Sequence, residues 1–338
     1  RDYTAYARLK DPQNPFTLKT WPNRLDMHLY VRRDLTQQIW SYRLGTASAQ
    51  TSDLYQASER TLPVALKARF SYAAGRGVAV APDGSLYVAD TAQHSIWHLA
   101  ANGTLLHTWG EYGTLPGQFN EPWDVAVDAQ GNVYVADTWN HRIQKFTAEG
   151  EYLLSWGRVG QAQVGDLAGH GVFYGPRGIA VGADGTVYVA DTGNDRVQIF
   201  DTNGNFRWEF GGSGYLAGQL NEPIGIAVNA TGEIFVADTW NRRVQVFTAD
   251  GLYLREWSVP VWSGNDPEEK PFLALADGVV YASDPVHGRV LAFDTAGQLL
   301  WTLRDAENLS YPLGLAVKED ILYVADGHAG ELFGYRMR

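Results

Sequence analysis

Four histidines stand at closely similar places in a recurring pattern, each in a turn that follows an aspartate: His94, His141, His287 and His328. Histidine is a common zinc ligand, and three histidines that converge leave a fourth position open for water or substrate. Zinc tolerates little variation in geometry, and two of these histidines are offset along the chain from the other two. We therefore predict no metal and no other cofactor, with a zinc site on these histidines as the alternative.

Aspartate and arginine recur five residues apart in the same turns. The pairs are Asp137 with Arg142, Asp191 with Arg196, and Asp238 with Arg243. The two members flank a short turn, so they can face each other across a hairpin and form an ion pair. Because the pair repeats with the architecture, we predict a structural role for it. No nucleophile motif or phosphate-binding loop is present, and we predict no catalytic residue.

A third set combines large aromatic side chains with charged ones at the start of the repeats and in their turns. An indole offers a flat apolar platform to a sugar ring or a peptide, and neighbouring charges fix the orientation of the ligand. The competing interpretation is that the tryptophans only cover neighbouring elements, because tryptophan is usually well buried. The predicted ligand-binding residues are Arg76, Trp123, Asp124, Trp139, Arg177 and Trp240.

These residues lie in a repeated unit. The stretch EPWDVAVDAQGNVYVADTWNHRIQKF at 121–146 returns at 175–200 and 222–247, and weaker copies occupy 75–99, 271–293 and 312–335. The aspartates that end the second apolar run of each copy are 47, 54, 47, 46 and 42 residues apart. Such nearly constant spacing indicates six copies of one supersecondary unit.

Each copy contains short β-branched runs separated by Gly, Asp or Asn, which is typical of a four-stranded antiparallel meander. One meander cannot bury both of its apolar faces, whereas copies stacked around an axis can. The sequence therefore predicts an all-β, six-bladed β-propeller over 65–338, with repeats that start near 75, 122, 176, 223, 271 and 312. The last copy lacks its fourth strand, and we predict that the segment 65–72 supplies it.

The repeats resemble the NHL-repeat family, whose pattern Asp-Gly-x-Val-Tyr-Val-Ala-Asp-Thr-x-Asn-x-Arg-Val-Gln-x-Phe is matched almost throughout by three copies. The resemblance implies the propeller fold. It does not fix the function, because propellers of this kind include enzymes, sensors and binding modules. Peptide-amidating lyases with similar propellers carry zinc on histidines from such turns, and this resemblance underlies the zinc alternative.

Residues 1–64 lack the repeat and are predicted to form an arm and linker, irregular at first and helical over 34–44. In that helix Asp34 is the expected N-cap and Gly45 the expected terminator. The stretch Tyr30-Val-Arg-Arg-Asp-Leu35 is similar to the extracytoplasmic region of glycosyltransferase-like membrane proteins that end in NHL repeats. That resemblance implies a location on the outside of a bacterial-type cell envelope, with a tether through a preceding region.

The net charge of −11 is unevenly distributed. The first 64 residues carry nine Lys/Arg and six Asp/Glu, whereas the remainder carries 18 and 32. An acidic ring repels phosphate backbones, so we do not expect a nucleic-acid partner. The chain has no cysteine, which excludes disulfides, and no apolar run long enough to predict a membrane span.

The leading functional prediction is a non-enzymatic, extracytoplasmic binding or scaffold module. It would recognise a glycan or a protein on the face where the longer loops emerge, since long loops on a rigid scaffold commonly carry binding sites. The first alternative is a metal-dependent lyase or hydrolase that acts at the mouth of the channel. The second is a propeller that assembles with copies of itself.

Overall fold

The computed structural model describes residues 28–32, 39–43, 59–69, 75–262 and 270–337. The chain divides into two units, Arg1–Leu54 and Tyr55–Arg338. In the first unit, strand β1 (His28–Arg32) pairs antiparallel with β2 (Ile39–Arg43). The helix predicted over 34–44 is therefore wrong over Ile39–Arg43. Ile, Trp and Tyr favour strands, and the pairing with β1 outweighs the local capping signals.

The second unit contains six blades, as predicted. The strands of blade one are β5 (Gly75–Val80), β6 (Leu86–Asp90), β7 (Ser95–Leu99) and β8 (Leu105–Trp109); of blade two, β9 (Pro122–Val127), β10 (Val133–Asp137), β11 (Arg142–Phe146) and β12 (Tyr152–Trp156); of blade three, β15 (Gly178–Val181), β16 (Val187–Asp191), β17 (Arg196–Phe200) and β18 (Phe206–Gly211). A short parallel pair, β13 (Arg158–Val159) and β14 (Val172–Phe173), lies in the loop between blades two and three.

The remaining three blades repeat the same antiparallel order. The strands of blade four are β19 (Pro223–Val228), β20 (Ile234–Asp238), β21 (Arg243–Phe247) and β22 (Tyr253–Ser258); of blade five, β23 (Leu273–Ala276), β24 (Val279–Asp284), β25 (Arg289–Asp294) and β26 (Leu299–Arg304); of blade six, β27 (Pro312–Lys318), β28 (Ile321–Asp326) and β29 (Glu331–Arg336).

The fourth strand of blade six is β4 (Val64–Arg69), which pairs antiparallel with β29. This confirms the predicted ring closure by the segment before the first repeat. A second short strand, β3 (Glu59–Arg60), pairs in parallel with β26 of blade five. The N-terminal side of the ring is thus hydrogen-bonded to the last two blades. Among the residues described, no helix has the length and apolar character needed to cross a bilayer.

The core lies between blades. One cluster, for example, packs Ile96 and Trp109 of blade one against Val125, Val133 and other residues of blade two. Burying apolar surface between neighbouring sheets is what stabilises each sheet. Hydrogen bonds also join neighbouring blades, because the threonine after the repeat aspartate donates to the carbonyl of the repeat proline that begins the next blade. These bonds are Thr91 to Pro122 (2.9 Å), Thr138 to Pro176 (2.8 Å) and Thr192 to Pro223 (2.8 Å).

Candidate functional site

The repeated Asp and Arg side chains lie together in each of the three strongest repeats. In blade three both are fully buried, and Arg196 Nε donates to Asp191 Oδ2 at 2.9 Å. The same guanidinium donates to the carbonyls of Gly169 (3.0 Å) and Val172 (2.8 Å) in the preceding inter-blade loop. Gln198 also donates to Val172 O, at 2.8 Å. Arg196 therefore holds the loop before blade three against the blade through hydrogen bonds.

Blades two and four repeat this arrangement. Arg142 Nε donates to Asp137 Oδ2 at 2.7 Å, and Arg243 Nε donates to Asp238 Oδ2 at 2.6 Å. Each arginine also donates to carbonyls of the loop before its blade, as Arg243 does to Leu216 O at 2.9 Å. Burial raises the pKa of the Asp137 and Asp238 carboxyls, and the hydrogen bonds that they accept oppose that effect. All of these groups are engaged inside the protein, so they are unsuited to contact a ligand.

The histidine position of the repeat also joins neighbouring blades. His94 Nδ1 accepts the backbone N–H of Glu121 at 3.0 Å, and His141 Nδ1 accepts that of Gly175 at 3.0 Å. In blade three, Asp195 Oδ1 accepts the N–H of Glu222 at 2.8 Å. The side chain at this repeat position therefore accepts the same backbone hydrogen bond whether it is an imidazole or a carboxylate.

The other two histidines make different contacts. His287 Nδ1 lies 2.8 Å from Asp284 Oδ1, and the ring of His328 stacks on Tyr311 with centroids 4.2 Å apart. Within the described ranges, no three His, Cys, Asp or Glu side chains are grouped closely enough to hold a metal ion. The four histidines of the zinc alternative are not brought together.

The predicted ligand-binding residues of blades one to three do come together, around Trp123. The guanidinium carbon of Arg76 lies 3.9 Å from the centroid of the Trp123 ring, and that of Arg177 lies 4.5 Å from it. Contacts between a guanidinium and an indole face are favourable. The two arginines and the surrounding blades leave Trp123 only 6% exposed. Trp123 is therefore covered, whereas the sequence predicted a ligand platform.

Asp124 is buried in the same region. Its carboxyl oxygens accept the backbone N–H groups of Val125 (2.9 Å) and Ile179 (3.0 Å). Burial raises the pKa of Asp124 to about 8 despite these two donors, so the carboxyl is largely uncharged at neutral pH. It connects blades two and three and is not available to a ligand.

The other two predicted tryptophans remain accessible. Trp139 is 39% exposed and Trp240 is 40% exposed. The indole N–H of Trp139 donates to Glu121 Oε2 at 2.9 Å, and Lys270 Nζ lies 5.9 Å from the ring of Trp240. Each platform is thus held beside a charged side chain.

Sequence reasoning missed two members of this site. Glu222 Oε2 accepts from Arg177 Nη1 and from Lys270 Nζ, both at 3.1 Å. Glu222 and Lys270 immediately precede the repeat prolines of blades four and five, at the position that Glu121 holds in blade two. Comparison of that repeat position would have revealed them. We call the assembled group the mouth cluster: Arg76, Trp123, Trp139, Arg177, Glu222, Trp240 and Lys270.

The position that follows the repeat proline is asymmetric around the ring. In blades one to three it holds Arg76, Trp123 and Arg177. In blades four to six it holds Ile224, Phe272 and Leu313, which form a buried apolar cluster. At this repeat position, arginine and tryptophan are therefore confined to blades one to three.

Comparison with known proteins agrees with this architecture. The NHL repeat model matches residues 76–99, 119–146, 173–200 and 220–247. The protein named brain tumor of Drosophila melanogaster is 47% identical over 53 residues, a match that spans 16% of this chain and 5% of that protein's length.

Two solved structures share the fold. Virginiamycin B lyase from Staphylococcus aureus has a TM-score of 0.57 and 12% identity, over 80% of this chain and 98% of that chain. A gluconolactonase from Xanthomonas campestris has a TM-score of 0.58 and 16% identity, over 79% of this chain and 87% of that chain. At these identities the likeness concerns the fold alone. With four matched repeats and six blades, the chain contains NHL repeats and folds as a β-propeller.

Proposed function

We propose that the chain is a non-enzymatic binding module that holds a carbohydrate at the mouth cluster. The observation that carries this proposal is the pair of accessible indoles, Trp139 and Trp240, each beside a charged side chain. An exposed indole face stacks well on the apolar face of a sugar ring, and adjacent charged groups hydrogen-bond to its hydroxyls. An extracytoplasmic location is part of the proposal and rests on the resemblance of the N-terminal stretch.

The proposal favours a glycan over a protein partner. Trp139 and Trp240 lie on blades two and four, with blade three between them, so the two platforms are separate. Separate aromatic platforms suit successive rings of an oligosaccharide, whereas protein interfaces usually have a continuous apolar centre. A protein partner would be an outcome of the test below.

The enzyme alternative has less support. A lyase and a lactonase are among the solved structures with this fold, but low identity carries no activity to this chain. The described residues bring no three metal-ligating side chains together, and both oxygens of Asp124 already accept backbone N–H groups. A measured equivalent of zinc in the purified protein would favour the enzyme instead.

A glycan array tests the proposal. We expect the wild-type chain to bind a defined set of oligosaccharides, and Trp139→Ala with Trp240→Ala to weaken that binding at least about 10-fold, which corresponds to about 1.4 kcal/mol. Tyr253→Ala is the matched control, because Tyr253 is a similarly exposed aromatic on the outer strand of blade four.

Binding that survives the double substitution, or that falls equally in the control, would contradict the assignment of the site. Failure to bind any oligosaccharide would contradict the carbohydrate itself. Light scattering at increasing protein concentration, run on the same sample, would reveal the self-assembly alternative.

A further inference from the structure

One position of the repeat turn, four residues after the repeat aspartate, lies in the left-handed region of backbone conformation. In blades five and six it is glycine, Gly288 (φ 61°) and Gly330 (φ 62°), which adopts this region without strain. Blades one, two and three instead have His94 (φ 53°), His141 (φ 55°) and Asp195 (φ 53°). Residues other than glycine are uncommon there, so a contact that compensates is expected.

That contact is a hydrogen bond to the residue immediately before the next blade's repeat proline. The three side chains accept the backbone N–H groups of Glu121, Gly175 and Glu222, in chain order. These three residues also lie in the left-handed region, with φ of 52°, 64° and 48°. The hydrogen bond therefore helps to hold a backbone conformation that the two glutamates would otherwise rarely adopt.

Both residues held by a histidine contact Trp139. Glu121, held by His94, accepts the indole N–H of Trp139 at 2.9 Å through Oε2. Gly175, held by His141, lies against the same indole, because a Cβ added to Gly175 would be 3.5 Å from Trp139 Cζ3. The His141 ring is itself edge-on to the indole, with centroids 6.2 Å apart. The position of the exposed Trp139 ring therefore depends on both histidines.

The second exposed platform, Trp240, depends on an aspartate instead. Asp195 holds the backbone of Glu222, and Glu222 Oε2 accepts from Lys270 Nζ at 3.1 Å. That ammonium lies 5.9 Å from the Trp240 ring. Aspartate in general remains ionised in the mildly acidic range in which histidine gains a proton. The two platforms are thus supported in similar ways, but by acceptors that respond differently to acid.

The two histidine contacts require a neutral imidazole. A backbone N–H can only donate, so Nδ1 of His94 and of His141 must carry no proton. Protonation would place an N–H against another N–H, and the hydrogen bond would be lost. Burial lowers the pKa of His141 below its ordinary value of 6.5, against the opposing effect of Asp137. The His141 contact is therefore complete above pH 6.5 and is lost as the pH falls below that value.

Titratable groups from two elements surround each imidazole. His141 faces Asp137 on its own turn and stacks on Tyr174 of the loop before blade three, with centroids 5.6 Å apart. The groups around His94 are Asp90 on its own turn, and Tyr112 and Glu121 of the loop before blade two. Both imidazoles are partly exposed, so they can exchange protons with the solvent.

We propose that His94 and His141 position Trp139 at neutral pH and release it when mild acid protonates them, so that the sugar is held less tightly in acid. This inference rests on the proposed carbohydrate-binding function and adds its regulation by pH. The histidines are positioning residues, because they act through Glu121, Gly175 and the indole. The Trp240 side of the mouth cluster keeps its geometry in the same pH range.

Hydrogen exchange of single amides, measured by NMR without any sugar, tests the inference directly. After correction for the intrinsic exchange rate, we expect protection of the Glu121 and Gly175 amides to fall at least about fivefold between about pH 7.5 and about pH 5, as for the loss of one hydrogen bond. The indole N–H of Trp139 should lose protection over the same range. The Glu222 amide, held by Asp195, is the internal control and should keep its protection.

Exchanging the acceptors between blades identifies the groups responsible. His94→Asp with His141→Asp gives blades one and two the acceptor of blade three, and should make amide protection the same at both pH values. Asp195→His is the converse change and should make the Glu222 amide sensitive to acid. His107→Asn, at an exposed histidine on the outer strand of blade one, is the control and should retain the pH response of the wild type.

Affinity for the oligosaccharide identified on the array gives the functional measurement. The wild-type protein should lose, between neutral and acidic pH, the same factor in affinity that Trp139→Ala loses at neutral pH. Trp139→Ala should show no further loss in acid. The protein with aspartate at both histidine positions should bind equally well at the two pH values.

The outcomes separate this inference from the proposed function. Unchanged protection of the Glu121 and Gly175 amides in acid would overturn the inference and leave the carbohydrate function standing, as would a pH-dependent affinity that survives in the aspartate variant. Failure to bind any sugar would overturn the proposed function, and the amide measurements would still decide whether the histidines hold Trp139. If the variants fail to fold, comparison of the three amides in the wild-type protein gives the answer.

Discussion

Single positions in the repeat show how one residue type can alter a blade. Asp124 occupies a position that is glycine in four other blades, including Gly77 and Gly178. A Cβ added at Gly178 would lie 1.9 Å from the carbonyl oxygen of Ile224, so this part of the ring has almost no space. Gly77 leaves room that the Asp124 carboxyl fills, because a Cβ there would lie 2.1 Å from Asp124 Oδ1. A buried carboxyl can therefore link blades two and three only because blade one has glycine beside it.

Protonation of Asp124 has a consequence for stability. Its pKa is raised in the folded protein to about 8 from an ordinary value of 3.8. The group therefore favours the folded state most at low pH, and this contribution is lost as the pH rises toward 8. We expect Asp124→Asn to remove a slope of at most about 1.4 kcal/mol per pH unit between pH 5 and pH 7.

Urea unfolding of both proteins at several pH values measures this slope. The asparagine amide cannot accept both backbone N–H groups, so a constant loss of stability is expected at every pH. The difference between the two curves is the informative quantity, since the other carboxyls cancel. Parallel curves for the two proteins would show that Asp124 is ionised in the folded state.

At the scale of elements, the recurring Asp, Arg and Gln side chains hold the inter-blade loops in place. In the loops before blades two, three and four, backbone carbonyl oxygens accept hydrogen bonds from the arginine of the following blade. Blade six has Glu331 at the arginine position, and Asp326 accepts the N–H groups of Ser310 (2.6 Å) and Tyr311 (2.7 Å) directly. The signature motif of the repeat thus holds each inter-blade loop to its blade through hydrogen bonds. A loop held in this way can present side chains in fixed positions, as a binding site requires.

Arg196 is the most buried arginine of this set, and we expect Arg196→Met to be strongly destabilising. The substitution leaves the fully buried Asp191 without its cation, which typically costs about 3–5 kcal/mol. Adding Asp191→Asn should recover part of the loss, because it removes the unpaired charge. Urea unfolding gives the values, and hydrogen exchange in the loop 158–175 should show faster opening.

Arg207→Met on the adjacent strand is the control for Arg196→Met. Arg207 is exposed, and surface substitutions usually change stability by less than about 0.5 kcal/mol. An Arg196→Met protein as stable as this control would contradict the role assigned to the buried arginine.

The sequence predicted the blades well because the same evidence recurs six times in register. It failed over Ile39–Arg43, where an isolated segment has local capping signals but its structure depends on pairing with His28–Arg32. It also missed Glu222 and Lys270, because Glu222 bonds both to Arg177 and to Lys270 across three blades, and these contacts depend on side-chain reach. The exposure of Trp123 depends on how Arg76 and Arg177 stack on its ring, which the repeat pattern does not specify. Repetition therefore specifies elements, whereas the site depends on residues at which the repeats differ.

At the scale of the whole molecule, the ring depends on a strand that comes from the other end of the repeat region. β4 completes blade six, and Leu66 and Ala68 pack in one cluster with Val78 of blade one and Leu332 of blade six. This contact joins the first and last blades. Without it, the outer strand edge of β29 and the faces of two blades would be exposed to solvent.

If β4 closes the ring, substitution of its buried Leu66 should destabilise the whole propeller. Leu66 is 7% exposed, and we expect Leu66→Ala to lower the free energy of unfolding by about 2–5 kcal/mol, as is usual for a buried leucine. Val64 in the same strand is 41% exposed, so Val64→Ala should cost far less and serves as the control. Because each blade shares its apolar clusters with its neighbours, the loss should appear as a single unfolding transition at a lower urea concentration.

A chain that begins at Ala73 lacks β4 altogether and should unfold at a still lower urea concentration. An unchanged midpoint for that chain would show that the ring does not need this strand.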